Sequence, residues 1–415
     1  LVSKSPFSLE VLLGMRTTWN FNTAGQLVFG RNAIEQIGDR VRQMGARRVL
    51  LVTDQTLVEA GLVDRVSTPL SDAGVTVEVF AGGSPEPPLH AVNDAIAAAR
   101  DCHAEALLGL GGGSNMDIAK AAAVVLTHGG AVKDYAGDQV VPGPVFPLIL
   151  VPTTSGTGSE VTAAAVLNDT EQGAKFSILS NHLRARFAVV DPLLTVSCPP
   201  AVTAASGIDA LSHAVEAYTA VDNEAFPLPA GEVTIYQGRH PLGDVLAERA
   251  IGLIGESLRR AVNDGDDLDA REGMALASTL AGMAFSNSGV AVVHALEYPL
   301  NDTVHTPHGV GCGLFLPYVM RFTGPARPQQ MARIAELLGS GEVVSPDDSA
   351  VELAAAAVEK LNADIGIPLR LRDVGVQETQ LSAMADKAFT VKRILRVSPR
   401  SVAHEDLQAI LRAAL

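Results

Sequence analysis

The stretch ALLGLGGGSNMDIAK, residues 106–120, decides how the first half of this chain folds. Its opening, ALLGLGGG over Ala106–Gly113, reads as a buried strand running into three glycines. MDIAKAAAVVLTH, from Met116 to His128, reads as the helix that follows. Strand, glycine turn and helix in succession form the unit of a parallel α/β sheet. Glycine lets backbone N–H groups approach an anion, and the helix start at Ser114 adds a partial positive charge. Gly111, Gly112 and Gly113 therefore form either a pyrophosphate-sized site or simply a tight strand-to-helix turn. Their spacing is not the G-x-G-x-x-G fingerprint.

The same alternation extends on both sides. RRVLLVTD (Arg47–Asp54), VTVEVF (Val75–Phe80), FPLILVPTT (Phe146–Thr154) and FAVVDP (Phe187–Pro192) read as strands, and HAVNDAIAAARDC (His90–Cys102) reads as an amphipathic helix. In such a sheet, ligands gather at the carboxyl ends of the strands. After Pro199-Pro200 the texture changes to Ala/Leu-rich stretches at helical spacing, such as TAASGIDALSHAVEAYTA and DDSAVELAAAAVEKLNADI. The expected organisation is an α/β Rossmann-like domain over residues 15–195 and an all-helical domain over 196–415. Residues 1–14 precede Met15 and read as an upstream or non-native leader, and FPLPAGEVTIYQGRHPLGD (Phe226–Asp244) reads as a loop.

Composition limits the function classes. At 415 residues, 47% apolar and 19% charged, the chain is long enough for two domains with large cores. A net charge of −15 without a basic cluster argues against nucleic acid as a partner. There is no run of 18 apolar residues, so no membrane span is expected. Cys102, Cys198 and Cys312 are few, odd in number and far apart, which points to a reducing, cytoplasmic setting.

Two further segments suggest a nucleotide. PTTSGTGSEVT (Pro152–Thr162) follows a strand with hydroxyl residues and glycines that suit a phosphate or ribose, or a plain surface loop. Asp54 ends an earlier strand, where a carboxylate accepts from ribose hydroxyls and repels a 2′-phosphate, favouring NAD over NADP. The same residue also suits a helix N-cap.

The second half supplies a metal-type set. In GIDALSHAVEAY, Asp209 and His213 are four residues apart and share one helix face. In GVAVVHALEYPLNDTVHTPHGVG (Gly289–Gly311), His294 and His308 flank a turn containing Pro299 and Pro307. One carboxylate and three imidazoles suit Fe(II) or Zn(II). The other reading is an ordinary helix pair and satisfied core histidines.

GGGSNMDIAK, PTTSGTGSEVT, GIDALSHAVEAY and HALEYPLNDTVHTPHGVG, in this order, resemble the iron-containing (group III) alcohol dehydrogenases from about Thr17 to the C-terminus. The resemblance implies the dehydroquinate synthase-like two-domain fold with a catalytic cleft between the domains. It implies reversible alcohol–carbonyl interconversion with NAD and Fe(2+), or Zn(2+), a small alcohol, aldehyde or hydroxyacid substrate, and a homodimer or larger oligomer. Carried onto this sequence, the metal ligands fall on Asp209, His213, His294 and His308, the family spacing selecting His308 over His305. The nucleotide contacts fall on Asp54, Gly112, Gly113, Ser114, Asp117, Thr153, Thr154 and Ser159, with Lys175 near the nicotinamide ribose.

One position departs from the family. Many members carry a second histidine four residues after the first, often assigned to proton transfer, and here that position is Tyr298. A phenol is a poor base at neutral pH; His305 is then either a candidate replacement or an ordinary solvated loop histidine. Tyr298, IYQGRHPLGD and DDLDAREGMALASTLAGMAFSNSGV also resemble the hydroxyacid–oxoacid transhydrogenase branch. Arg239, His240, Lys392 and Arg393 are then either carboxylate-binding charges or ordinary surface residues. The rival readings are a lyase resembling dehydroquinate synthase and a catalytically inactive protein that binds NAD or metal.

Overall fold

A computed structural model describes residues 17–170, 174–229, 231–339 and 342–415; the expected leader, residues 1–14, lies outside them. Among the described residues, the N-terminal half has nine strands: β1 (Gln26–Phe29), β2 (Arg48–Val52), β3 (Thr76–Phe80), β4 (Ala106–Gly111), β5 (Gly137–Asp138), β6 (Leu148–Pro152), β7 (Ala164–Asp169), β8 (Ala174–Leu179) and β9 (Phe187–Val190). Six of them form one parallel sheet in the order β1-β9-β6-β4-β2-β3. Helices α1 (Ile37–Gln43), α2 (Gln55–Glu59), α3 (Leu62–Asp72), α4 (Leu89–Asp101) and α5 (Gly113–His128) accompany it.

Burial explains why these runs lack a polar alternation. All six residues of β4 and all five of β6 are buried, because apolar clusters cover both faces of the sheet. A second sheet, β5-β8-β7, pairs β7 and β8 antiparallel. The sequence reading did not contain it, nor the four-residue β1.

The C-terminal half is helical: α6 (Pro200–Thr219), α7 (Pro241–Asn263), α8 (Leu268–Ser288), α9 (Val292–Val304), α10 (His308–Thr323), α11 (Pro328–Leu338), α12 (Asp348–Ile365), α13 (Leu381–Thr390), α14 (Lys392–Leu395) and α15 (His404–Ala414). Phe226–Asp244 is irregular as far as His240, apart from an isolated bridge of Arg239 to Asp222, and α7 begins at Pro241; Ala230 lies outside the described residues. Helix α6 is the axis of this half. It packs against α7, α8 and α10, and it is buried from Gly207 through Thr219. A helix enclosed on every side has no solvent face to carry charge, so Asp209, His213 and Glu216 within it need internal partners.

Among the described residues no single helix is long and apolar enough to cross a membrane. Helices α8 and α9 pass by length and composition only as a pair bent by 103°, and both belong to the core of this half. The two halves join by backbone and side-chain bonds. Arg184 Nη1 donates to the Val161 carbonyl at 2.7 Å and Nη2 to the Ser286 carbonyl at 3.1 Å, while Ala163 N–H donates to Ser286 Oγ at 3.1 Å.

Candidate active site

The nucleotide-type loops leave three adjacent strands. Gly111 pairs with Pro152 across β4 and β6, and Thr153 N–H donates to the Gly111 carbonyl at 3.0 Å. Gly112–Ser114 and Thr153–Thr154 therefore leave the sheet side by side. Gly111 has φ +142°, and a Cβ there would lie 2.3 Å from the Asn115 amide, so the turn requires glycine. Gly112 caps α5 without a side-chain bond, which leaves the first N–H groups of a 16-residue helix available to an anion.

Asp54, at the end of neighbouring β2, is a helix N-cap, and both of its carboxylate oxygens are engaged within the protein. Its Oδ1 accepts from Leu57 N–H at 3.1 Å as the N-cap of α2, and its Oδ2 accepts from Asn115 Nδ2 at 2.7 Å. Asp117 and Ser159 face inward instead of lining an open loop. Ser159 Oγ donates to Asp117 Oδ1 at 2.9 Å, and Val166 N–H donates to Asp117 Oδ2 at 2.9 Å. Both belong to a buried cluster around Lys120, whose Nζ donates to Ser159 Oγ, Thr162 Oγ1 and the Ala164 carbonyl at 2.8, 3.2 and 2.7 Å. Burial brings this lysine down to about 8 against the pull of Asp117 and Glu160.

Lys175, on β8, reaches across to the helical half. Its Nζ donates to Glu86 at 3.0 Å and to Asn301 Oδ1 on α9 at 2.9 Å. The hydroxyl-rich loop touches the helical half as well: Gly156 lies close against Ser206 of α6.

Beyond this cleft, three helices bring the metal-type residues together. Asp209 Oδ1 lies 3.6 Å from His308 Nε2 and 3.9 Å from His294 Nε2, and Asp209 Oδ2 lies 3.8 Å from His213 Nδ1. Asp209 is 2% exposed, His213 5% and His294 4%. Gly309 makes the approach of α10 to α6 feasible, since a Cβ there would fall 1.9 Å from the Ala205 carbonyl oxygen. Of the four sequence-derived ligands, Asp209, His294 and His308 converge, together with Cys312, so that their donor atoms lie within 4.8 Å of one another. His213 stands beside this group, stacked between Phe285 (centroids 4.1 Å apart) and His294 (4.8 Å).

Two buried glutamates that the sequence reading missed fix the imidazoles. Glu216 Oε2 lies 2.6 Å from His294 Nδ1, and Glu297 Oε2 lies 2.7 Å from His308 Nδ1. With each Nδ1 held by a carboxylate, each Nε2 is turned toward Asp209. Glu216 also accepts from Ala291 N–H at 2.9 Å and Val293 N–H at 2.7 Å, capping the start of α9 from another helix. The spacing carried a signal: Asp209, His213 and Glu216 fall at i, i+4 and i+7, and His294 and Glu297 at i and i+3, so each set shares a helix face.

The electrostatics differ from one imidazole to the next. Burial pushes His213 down to about 3, so it stays neutral. His308, 39% exposed, is opposed by its partial burial, but Glu297 and Asp209 outweigh that and hold it up at about 9. Burial would raise the Asp209 carboxyl, yet His213, His308 and His294 around it keep it below the usual range. Asp209 Oδ1, His213 Nδ1 and His294 Nε2 are buried without a hydrogen-bond partner. Buried polar atoms left unpaired in one place are what a cation supplies with partners, so these residues fit a divalent metal. Replacing Glu216 with Gln keeps the side-chain shape but removes the charge behind His294. Metal affinity, read by chelator competition, is expected to fall roughly 10- to 100-fold.

The remaining candidates separate from this centre. Burial pushes the Tyr298 phenol well above its ordinary value, so it holds its proton. His305 is exposed at the C-cap of α9 with φ +52°. Arg239 is committed to Asp244 and Asp222 at 2.5 and 3.2 Å, and His240 caps α7 through Gly243 N–H while stacking on Trp19. Lys392 is exposed over Phe389. Arg393 differs: it lies over the Tyr236 ring, and its buried Nη1 finds no acceptor.

A cation-holding centre in a helical half, facing glycine and hydroxyl loops on a parallel sheet, is the layout of a metal-dependent oxidoreductase. The chain belongs to the iron-containing alcohol dehydrogenase family. Residues 24–192 match the family model described as iron-containing alcohol dehydrogenase, and residues 230–415 match that of the family's C-terminal part. It is 42% identical to long-chain-alcohol dehydrogenase 1 of Geobacillus thermodenitrificans, over 93% of this chain and 94% of that one. It is 35% identical to the NAD-dependent methanol dehydrogenase of Bacillus methanolicus, over 95% and 100%. The crystal structure of a 1,3-propanediol oxidoreductase superposes with a TM-score of 0.89 at 38% identity, covering 96% of this chain and 100% of that one. The mitochondrial hydroxyacid-oxoacid transhydrogenase of Xenopus tropicalis is a relative at 33%, over 99% and 93%, a lower identity than that to the bacterial alcohol dehydrogenases just named.

Proposed function

We propose that this chain interconverts a primary or hydroxyacid alcohol and its carbonyl form, with NAD as hydride carrier and Fe(II) held by Asp209, His294 and His308, with His213 beside them. The observation that carries this reading is the set of buried donor atoms without protein partners at Asp209, His213 and His294. When bound, the metal supplies Lewis-acid polarisation of the substrate oxygen and the nicotinamide supplies or accepts hydride.

The chain's own residues supply placement. Glu216 and Glu297 fix the rings of His294 and His308. The first N–H groups of α5 and the Thr153–Thr154 turn are offered to the dinucleotide phosphates, and Asp54 to the adenosine ribose, where its charge favours NAD. Lys175, which bonds Glu86 and Asn301, is read as the contact to the nicotinamide ribose. Tyr298 is placed as a donor that keeps its proton, so the proton exchanged in the reaction leaves by another route.

Arg393 favours a hydroxyacid among the substrate classes, because its unsatisfied Nη1 would donate to a substrate carboxylate. The test is metal analysis of anaerobically purified protein, followed by NADH oxidation with a panel of aldehydes and oxoacids. About one metal per chain and aldehyde-dependent NADH loss are expected. Turnover that requires a hydroxyacid and an oxoacid together would replace the dehydrogenase with a transhydrogenase. NADH left untouched by every carbonyl would sink both.

A further inference from the structure

Asn115 is the third residue of α5, yet it caps no backbone of its own helix and is only 2% exposed. Both protons of its amide go to neighbouring strand ends. Nδ2 donates to Asp54 Oδ2 at 2.7 Å, just beyond β2, and to the Leu110 carbonyl of β4 at 3.1 Å. Two glycines leave the amide its room. A Cβ at Gly111 would lie 2.3 Å from Nδ2, and a Cβ at Gly83, in the loop after β3, would lie 2.0 Å from Oδ1. Strands β4, β2 and β3 are neighbours in the sheet, so one asparagine ties three adjacent strand ends together. The Asp54 carboxylate is thereby fixed at both oxygens, one by the Leu57 N–H at 3.1 Å and the other by Asn115. An ionised carboxylate has about four acceptor sites, so each oxygen keeps one for a further donor.

We propose that Asn115 is the positioning residue that sets the choice between the two nicotinamide dinucleotides, acting through Asp54; this rests on the reading of these loops as a dinucleotide site. Held at the carboxyl end of β2, the carboxylate has lone pairs left for ribose hydroxyls and opposes a 2′-phosphate. A carboxylate free to rotate would turn to solvent and yield to that phosphate. Here rotation breaks a charge-assisted hydrogen bond, so the opposition is built in. Selectivity of this kind is a difference of two affinities, and Asn115 supports one of them while guarding against the other.

Isothermal titration calorimetry of the full chain with NADH and with NADPH reads this without turnover. In the parent chain NADH binds more tightly. In Asn115→Ala, NADH binding is expected to weaken roughly tenfold with no matching loss for NADPH, so the preference drops by about that factor. Asn115→Ser, still polar but one bond too short to reach Asp54, serves as a second variant with the same expected outcome. In Asp54→Ala the preference is already gone, and adding Asn115→Ala moves the ratio of the two Kd values no further, as for residues that act through one another. Thermal melts establish that each variant folds. Equal losses for both dinucleotides in the Asn115 variants would overturn the proposal and leave the asparagine a structural strut. A ratio that Asn115→Ala still shifts when Asp54 is absent would overturn it too. A parent chain that binds both dinucleotides equally would overturn it together with the role given to Asp54, and one that binds neither would remove the dinucleotide site itself.

Discussion

His294→Ala is expected to abolish metal retention and lower turnover by about 10³-fold or more. The substitution removes one of three convergent donors, and Lewis-acid stabilisation is worth several kcal/mol, with each ~1.4 kcal/mol a factor of ten. The fold should survive. Glu216 loses its contact with the imidazole but still accepts from Ala291 and Val293 N–H, so the start of α9 remains capped. The decisive comparison is metal content against the thermal melt: a cooperative melt with metal lost is the expected result. Full metal retention with normal turnover would remove His294 from the centre.

Lys120→Met should be the most destabilising single change in the N-terminal half, costing about 3–5 kcal/mol at neutral pH. Methionine matches the lysine stem in size, and burying it regains on the order of 1–2 kcal/mol. Against that gain stand Ser159, Thr162 and the Ala164 carbonyl, which lose their partner, and Asp117, which loses its counter-charge. Burial already raises the Asp117 carboxyl, and removing the ammonium raises it further. A group whose pKa is higher folded than unfolded stabilises the fold in acid and loses that contribution as pH rises. The deficit of the variant is therefore largest at neutral and alkaline pH and shrinks on acidification, which urea melts of parent and variant across that range would measure. A deficit independent of pH would mean that Asp117 does not feel the lysine.

The sequence disclosed what periodicity and glycine chemistry control. Strands β2, β3, β4, β6 and β9 are β-branched or leucine-rich runs that end in polar or turn residues, and α5 follows its glycines directly. The family resemblance, and with it the α/β half and the helical half, agreed with the family models and the solved structures. What escaped has a physical reason in each case. Strand β1 has only four residues, and β7 and β8 are held by antiparallel pairing with each other, which no local pattern announces. Lys120 and Glu216 sit among alanines, where a charged residue normally marks the solvent face of a helix; only tertiary packing turns that face inward. Cys312 figured only as one of three scattered cysteines, and its neighbours became evident only when α10 folded against α6.

Helices α9 and α10 each supply one imidazole, and the support for the second comes from the helix of the first: Glu297 lies one turn beyond His294 on α9 yet holds His308 at the start of α10. Two imidazoles of the centre and the carboxylate behind one of them thus come from one helix pair whose arms check one another's alignment, while α6 supplies Asp209. Lengthening or shortening the connection at His305–Pro307 by one residue would turn His308 about 100° around its helix axis and strand Glu297 at the same stroke. The length of that connection is therefore part of the site.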